Sequence, residues 1–471
     1  MLVFVTMQTP QHTPSTKKVR RDSLGGKRGD GHRRSCRIRR PDARKVHVGR
    51  PDPGLTALGG LTQFGSFVRE VGVDAQLRDL FFRLKAGRMV VYPMEAQLRL
   101  LIDAAAVGEQ RVFGVEALSS DPLFVHVAGG VVPSIDTIYR DLRRFDNAGI
   151  ADLERVMAEH GLAAVRAKRR PLLHLDVDTT VEPIFGDHEG AVPGYNPRYH
   201  GRPSYHPILA RCAEVDSVVG AKLRPGDTSF GDAEAPLVGA WIDRLREAAG
   251  DKAVIRVRID SAGDCTRVMR EIDEKHAHFV VKARTTADLC SAICRVPRGS
   301  WCTTDVDADG KPTRQVAEVI FEREEWKKQG LTVRVIAVRS KERDTGKQLY
   351  LWEDSEWTAQ AFLTNDMDDD ADELAHDYDG RAGIEPLIAE LKGAWGIGKV
   401  PSAEFAANHA ALLIKLLTYN LLRRYVLAKA PALATWRAPW IRRALIVVPG
   451  RFGRHGRTPT IRMAPRPHLM Q

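Results

Sequence analysis

From Gly54 to Leu162 the apolar residues recur at spacings of three and four, the period of an amphipathic helix. LTQFGSFVREVGVDAQLRDLFFRL and EAQLRLLIDAAAVG read as helices, and VVPSIDTIYRDLRRFDNAGI as a basic helix capped by Ser134 or Asp136. At Pro171 the period changes to two. In LLHLDVDTTV, Leu173, Leu175 and Val177 alternate with His174, Asp176 and Asp178. That pattern predicts a strand with its apolar side toward a sheet core and its acids on the other side. YHPILARCAEV and SVVGAKLRPG are two further strands, followed by the helix SFGDAEAPLVGAWIDRLREAAG. VIRVRID is a strand ending at Asp260, DCTRVMREIDEKH a helix, and FVVKAR a fifth strand.

Three strands, helix, strand, helix, strand is the order of a ribonuclease-H-like α/β fold. It sets Asp178 and Asp260 where that fold places its first two metal ligands. Acids at the end of a buried strand are costly unless paired or metal-bound. Asp176 is the main rival to Asp178, since it faces the same way, and Asp264 is a weaker rival to Asp260. His174 is a candidate support for the acids, with a packed core histidine as the plainer expectation. Between Arg284 and His376 lie VAEVIFEREEW, LTVRVIAVRS, QLYLWED and TAQAFLTN, a strand-rich segment. Its Trp301, Trp326, Trp352 and Trp357 are either a stacking ring or core packing.

The segment YDGRAGIEPLIAELK holds Tyr378, Arg381, Glu385 and Lys392. On a regular helix these offsets fall within about 60° of arc. A carboxylate that can hold a cation would then share a stripe with groups that can hold phosphate oxygens. From the residues alone, an ordinary solvated face reads equally well. Gly383 and Pro386 either kink the helix or start it near Glu385, with Pro386 in its first turn. The loop GDHEGAVPGYNPRYHGRPSYHP interleaves Tyr195, Tyr199 and Tyr205 with Arg198, Arg202, His200 and His206. That mixture suits a distorted nucleic-acid end or a packed surface turn.

Charge adds one asymmetry. The chain of 471 residues has net charge +11. Residues 1–50 carry fourteen Lys/Arg against three Asp/Glu, and the remainder balances. That tail reads as disordered and polyanion-binding, or as a leader without a role. A second basic run, with five arginines and no acid, lies between Gly450 and Gln471. No transmembrane segment is expected, because Asn408, His409, Lys415 and Asn420 interrupt the apolar stretch Ala406–Tyr425. Of the six cysteines, Cys290, Cys294 and Cys302 lie near His276 and His278 but form no CxxC pair. Reduced core thiols, not a zinc site, are expected.

The spacing Tyr-x2-Arg-x3-Glu-x6-Lys resembles the signature of bacterial insertion-sequence DDE transposases. LDVDTTV and RIDSAG resemble that family's two aspartate strands, with Asp178 and Asp260 at the matching positions. GIGKVPSAEFAANHAALLIKLLTYNLLRRY resembles the helix after its glutamate. The group nearest in pattern is the insertion-sequence thirteen-eighty group, DDE transposase group 1, over roughly Ala43–Arg457. GRTPTIRMAPRPHLMQ does not fit it.

The resemblance implies a basic tail (1–50), an all-α DNA-binding domain (51–168), a ribonuclease-H-like catalytic domain (169–284 and 377–448), a β-rich insertion (285–376) and a basic C-terminal tail (449–471). It implies that Asp178, Asp260 and Glu385 hold two Mg²⁺ ions, for which Mn²⁺ substitutes. Tyr378, Arg381 and Lys392 would bind phosphates beside the scissile bond, with Arg140, Arg143 and Arg202 as further DNA contacts. The implied activity is binding of terminal inverted repeats, metal-dependent cleavage and strand transfer. The implied setting is the bacterial cytoplasm, on nucleoid DNA, as a homodimer on two transposon ends, with double-stranded target DNA, no membrane and no nucleotide cofactor. The alternatives are a two-metal nuclease without strand transfer and an inactive DNA-binding remnant.

Overall fold

The computed structural model describes residues 47, 49–196, 199–341 and 357–465. The basic tail up to Lys45, Arg198 and Trp352 lie outside the described residues. Residues Asp52–Gln471 form one compact unit. Its first part is helical, as the three-four period requires: α1 (Leu61–Glu70), α2 (Val73–Phe81), α3 (Met94–Val107), α4 (Ile135–Leu142) and α5 (Asn147–Ala167). Ser134 is the cap of α4, its side chain accepting from the Thr137 N–H, which satisfies one orphan donor of the first turn.

The sheet strands follow: β1 (Leu172–Thr179), β2 (Ile208–Cys212) and β3 (Ser217–Lys222), then α6 (Ala235–Ala249), β4 (Val254–Ile259), α7 (Thr266–Glu274) and β5 (His278–Lys282). After α8 (Ala287–Cys294) come β6 (Cys302–Val306), β7 (Pro312–Val319), β8 (Arg334–Lys341) and β9 (Trp357–Thr364). All nine join one mixed sheet in the order β6-β7-β8-β9-β5-β4-β1-β2-β3. The strand-rich segment therefore extends the same sheet. β1, β4 and β5 run parallel, and the neighbours on both sides run antiparallel. In the β1–β4 register Val177 faces Ile259, so Asp178 and Asp260 leave the sheet side by side. The carboxyl ends of parallel strands are where open α/β sheets bind ligands.

Alternation decides which face of β1 goes where. Leu173, Leu175 and Val177 are fully buried in one apolar cluster with Trp241, Val257 and Phe279. The other face carries charge, and it is capped by α9 (Ala371–Asp379). Arg256 and Arg258 of β4 point there, where Arg256 meets Asp366 and Asp377 and Arg258 meets Asp176 and Asp377. Further along the sheet, α9 switches to apolar packing, with Leu374 and Tyr378 against Val280, Ile336 and Phe362.

The 3₁₀ turn Gly380–Gly383 leads into α10 (Ile384–Ala394), and α11 (Phe405–Lys429) follows. The apolar stretch within α11 is a core helix. Asn420 bridges α5 and β3 through Met157 and Val218, and Lys415 donates to the Gly396 and Lys399 carbonyls. Among the described residues no helix is long and apolar enough to cross a membrane.

Two expectations are corrected here. Residues grouped with a basic tail form a β-hairpin, β10 (Gly450–His455) and β11 (Thr458–Met463), paired to the short strand Leu55–Thr56. Alternating Phe452, Ile461 and Met463 give it an apolar face that the arginines obscure in the sequence. Nor are all the cysteines core residues. Cys212 is buried, but Cys294 and Cys302 are exposed, and none of the five described cysteines is in a disulfide.

Candidate active site

Three elements deliver three carboxylates to one place. Asp178 ends β1. Asp260 follows β4 directly and caps the next turn, accepting from the Ala262 N–H at 3.0 Å. Glu385 lies in the first turn of α10. The Arg381 guanidinium stands between them, 2.9 Å from Asp178, 3.6 Å from Glu385 and 4.0 Å from Asp260. Arg381 is only 8% exposed, and its Nε is buried without a hydrogen-bond partner. Burial pushes the Asp178 carboxyl up to about 6. Arg381 pulls it down and nearby Asp260 pushes it up further.

Tyr378, Arg381, Glu385 and Lys392 do not share one helix face. Gly380, Gly383 and Pro386 break the run into helix, 3₁₀ turn and helix. Tyr378 packs on the Phe362 ring at 4.4 Å and is 9% exposed. Lys392 donates to the Val181 carbonyl at 2.8 Å and pairs with Glu182 at 3.3 Å. The three expected phosphate binders are thus an inward-facing guanidinium, a packed ring and a tethered ammonium. Of the others, Arg140 is exposed, Arg143 pairs with Glu404 at 3.4 Å, and Arg202 stacks on Phe185 and Tyr199. Exposed Tyr195 and Tyr199 line a groove of about 1110 Å³ that also holds Asp178, Asp260, Arg284 and Lys392.

The rival acids are committed elsewhere. Asp176 is fully buried and holds Arg258 at 2.7 Å and Arg211 at 3.0 Å. These arginines sit directly across from it on β4 and β2. Asp264 is held by Arg323 and by the Arg284 N–H. His174 is not simply packed in the core. It lies between Glu214 at 2.6 Å and Asp377 at 2.8 Å. Burial pulls its pKa down, but Asp377 and Glu214 outweigh that and leave it raised.

Sequence reasoning missed Arg211, Arg256 and Arg258. The available signal for Arg256 and Arg258 was their alternation with Ile255, Val257 and Ile259 in VIRVRID, a charged face on a strand inside a sheet. Two of these side chains, Arg211 and Arg258, reach the Gly380–Gly383 turn. A Cβ on Gly380 would lie 2.7 Å from Arg258 Nη1, and one on Gly383 2.8 Å from Arg211 Nη1. A side chain at either glycine would require these guanidiniums to shift.

Among the described residues no three acid, His or Cys side chains converge tightly enough to hold a metal ion. The donor set still suits one in kind, because it is all oxygen, the preference of a hard divalent cation. A cationic side chain already stands between the acids.

A family model described as transposase DDE domain group 1 matches residues 40–468. The match reaches beyond Arg457 and takes in most of the stretch outside the resemblance. A solved structure, the piggyBac transposase synaptic complex with hairpin DNA, is similar with a TM-score of 0.43 and 11% identity. The alignment covers 82% of this chain and 79% of that one. A search of curated proteins gives no match.

Proposed function

The chain belongs to the transposase DDE domain group 1 family, and from that premise we propose that it binds the terminal inverted repeats of an insertion sequence, cleaves there and transfers the freed strand. The observation that carries this reading is the convergence of Asp178, Asp260 and Glu385, from three separate elements, on one guanidinium. The strand order, with β1 central between β2 and β4, supports a ribonuclease-H-like catalytic domain. The helical residues 51–168, with exposed Arg140 and half-exposed Arg143, are the proposed end-binding part.

In this reading Asp178, Asp260 and Glu385 hold two Mg²⁺ or Mn²⁺ ions. Bound there, the ions supply activation of the attacking hydroxyl and stabilisation of the leaving 3′-oxygen. The chain's own groups do the rest. Arg381 offsets part of the negative charge of the three acids, and its guanidinium would offer hydrogen bonds to a phosphate seated beside them. Lys392 adds positive charge at the floor of the groove. Tyr195, Tyr199 and Arg202 offer stacking surfaces for a distorted DNA end. Each transfer exchanges one phosphodiester for another, so no nucleotide cofactor is needed. A homodimer on two ends, in the bacterial cytoplasm and on nucleoid DNA, completes the proposal.

The test uses purified protein, Mg²⁺ and a labelled duplex carrying the repeats that flank the gene. Denaturing gels should show a metal-dependent nick, then joining of a pre-cleaved end to target DNA. Cleavage without joining would select the nuclease reading, and binding without cleavage the inactive remnant.

The pH dependence follows from Asp178. With its pKa raised to about 6, the carboxyl is ionised at pH 7.5 and mostly protonated at pH 5. A protonated carboxyl cannot serve as a ligand. Initial nicking rates at subsaturating Mg²⁺ should hold above pH 7 and fall roughly tenfold per unit below about pH 6. A rate unchanged from pH 7.5 to 5 would remove Asp178 from the ligand set.

A further inference from the structure

The hairpin β10–β11 has two faces of different chemistry. Its inner face bears Phe452, Ile461 and Met463. Phe452 lies 4.9 Å from the His126 ring, and Met463 touches the position where a Cβ on Gly59 would fall. The register places Arg451 opposite Arg462, Gly453 opposite Thr460, and His455 opposite Thr458 on the other face. All six are exposed. At the tip, Gly456 takes φ 60°, as the first position of a two-residue hairpin turn requires, and Arg457 follows it. Arg454 sits on the inner side but out at the tip, where it too is exposed.

Four arginines therefore coat the ribbon. Among the described residues only Arg451 has an ion pair, to Asp52 at 3.3 Å. No Asp or Glu follows Glu404 in the sequence. Like charges directly across a strand pair, as at Arg451 and Arg462, destabilise a bare hairpin and suit one that meets a polyanion.

We propose that this hairpin is a β-ribbon that docks on duplex DNA, gripping phosphates with Arg451, Arg454, Arg457 and Arg462 on either side of a groove. The proposal rests on the transposase reading for its partner. Each strand has six residues and spans about 20 Å, and the major groove, roughly 12 Å wide, admits a two-stranded ribbon. The outward face carries guanidiniums, threonine hydroxyls, an imidazole and glycine, with no apolar side chain. A protein partner would instead be met by an apolar or aromatic centre.

The test compares the full-length chain with Arg451→Gln/Arg454→Gln/Arg457→Gln/Arg462→Gln by fluorescence anisotropy on the terminal-repeat duplex between 50 and 200 mM salt. Each lost phosphate contact removes about 0.9 from the slope of log K against log salt. The quadruple variant should show a slope smaller by about 2–4 and an affinity about ten- to a hundredfold lower at ~100 mM salt. Arg457→Gln alone, at a solvent-exposed tip, should lose about two- to fivefold with an unchanged melting temperature.

Equal affinity and slope in wild type and variants would overturn the ribbon and leave the transposase reading standing. Wild-type protein that binds no duplex would overturn both. Unchanged DNA binding with a shift in oligomeric state on a sizing column would overturn it in favour of a contact between copies.

Discussion

Asp260→Asn and Glu385→Gln proteins are expected to bind end DNA within about threefold of wild type and to cut it slower by a factor on the order of 10³ or more. The separation follows from what these carboxylates do in the fold. Glu385 has a side chain 67% exposed and its nearest cation is Arg381 at 3.6 Å, so its removal leaves α10 intact. Asp260 accepts one cap hydrogen bond, from the Ala262 N–H, and asparagine at a cap accepts the same bond. In both variants Asp178 still holds Arg381 at 2.9 Å. Chemistry is the only large loss, because each substitution removes an anionic ligand from a three-acid set. Binding is read by anisotropy and cleavage by single-turnover nicking on denaturing gels. Near-wild-type nicking by either variant would dismantle the proposed site.

The second large effect lies two residues from that site and is of the opposite kind. Asp176→Asn should lower unfolding free energy by about 3–5 kcal/mol, the cost of breaking a buried ion pair by removing one partner. It would leave Arg211 and Arg258 without their shared carboxylate. Both arginines also contact other acids, Asp216 and Asp377, which places the loss toward the lower end of that range. The Gly380–Gly383 turn rests on the same two guanidiniums, so cleavage should fall with stability. Asp178→Asn is the control. Burial raises the pKa of both carboxyls, so in each case neutralisation relieves a burial cost. The difference is that Asp176 holds two buried guanidiniums, whereas Arg381 keeps Asp260 and Glu385 nearby when Asp178 is neutral and no buried cation is stranded. Asp178→Asn should therefore melt no lower than wild type while losing cleavage. Urea titrations of both proteins at pH 7 settle the pair. Equal midpoints would show that the network carries no such weight.

Much of this was legible in the sequence, for reasons that can be stated. The period-two run of β1 and the arrangement of strands and helices around Asp178 and Asp260 were local patterns, and local patterns survive folding. The choice between Asp176 and Asp178 was not local. Both acids face the same way, and only strand register puts Arg211 and Arg258 opposite one of them. The helical stripe failed for a related reason. Equal angular spacing presumed one regular helix, whereas two glycines and a proline allowed a turn that sends Arg381 inward. The hairpin stayed hidden because arginine at four of its positions masks the alternation of Phe452, Ile461 and Met463.

The pairing of Leu55–Thr56 with Gly450–Arg451 also sets a schedule for making the protein. The helical part leaves the ribosome well before the strand that completes its edge. Until residues 450–463 emerge, the seats of Phe452 beside His126 and of Met463 beside Gly59 are open apolar surface. Closing so long a loop carries a modest entropic cost, yet it cannot begin before residues 450–463 have emerged. A ribosome that stalls within α11 therefore releases a chain with an unpaired strand and exposed core, a substrate for chaperones and proteases. The early part of this chain closes its fold only with a strand made much later.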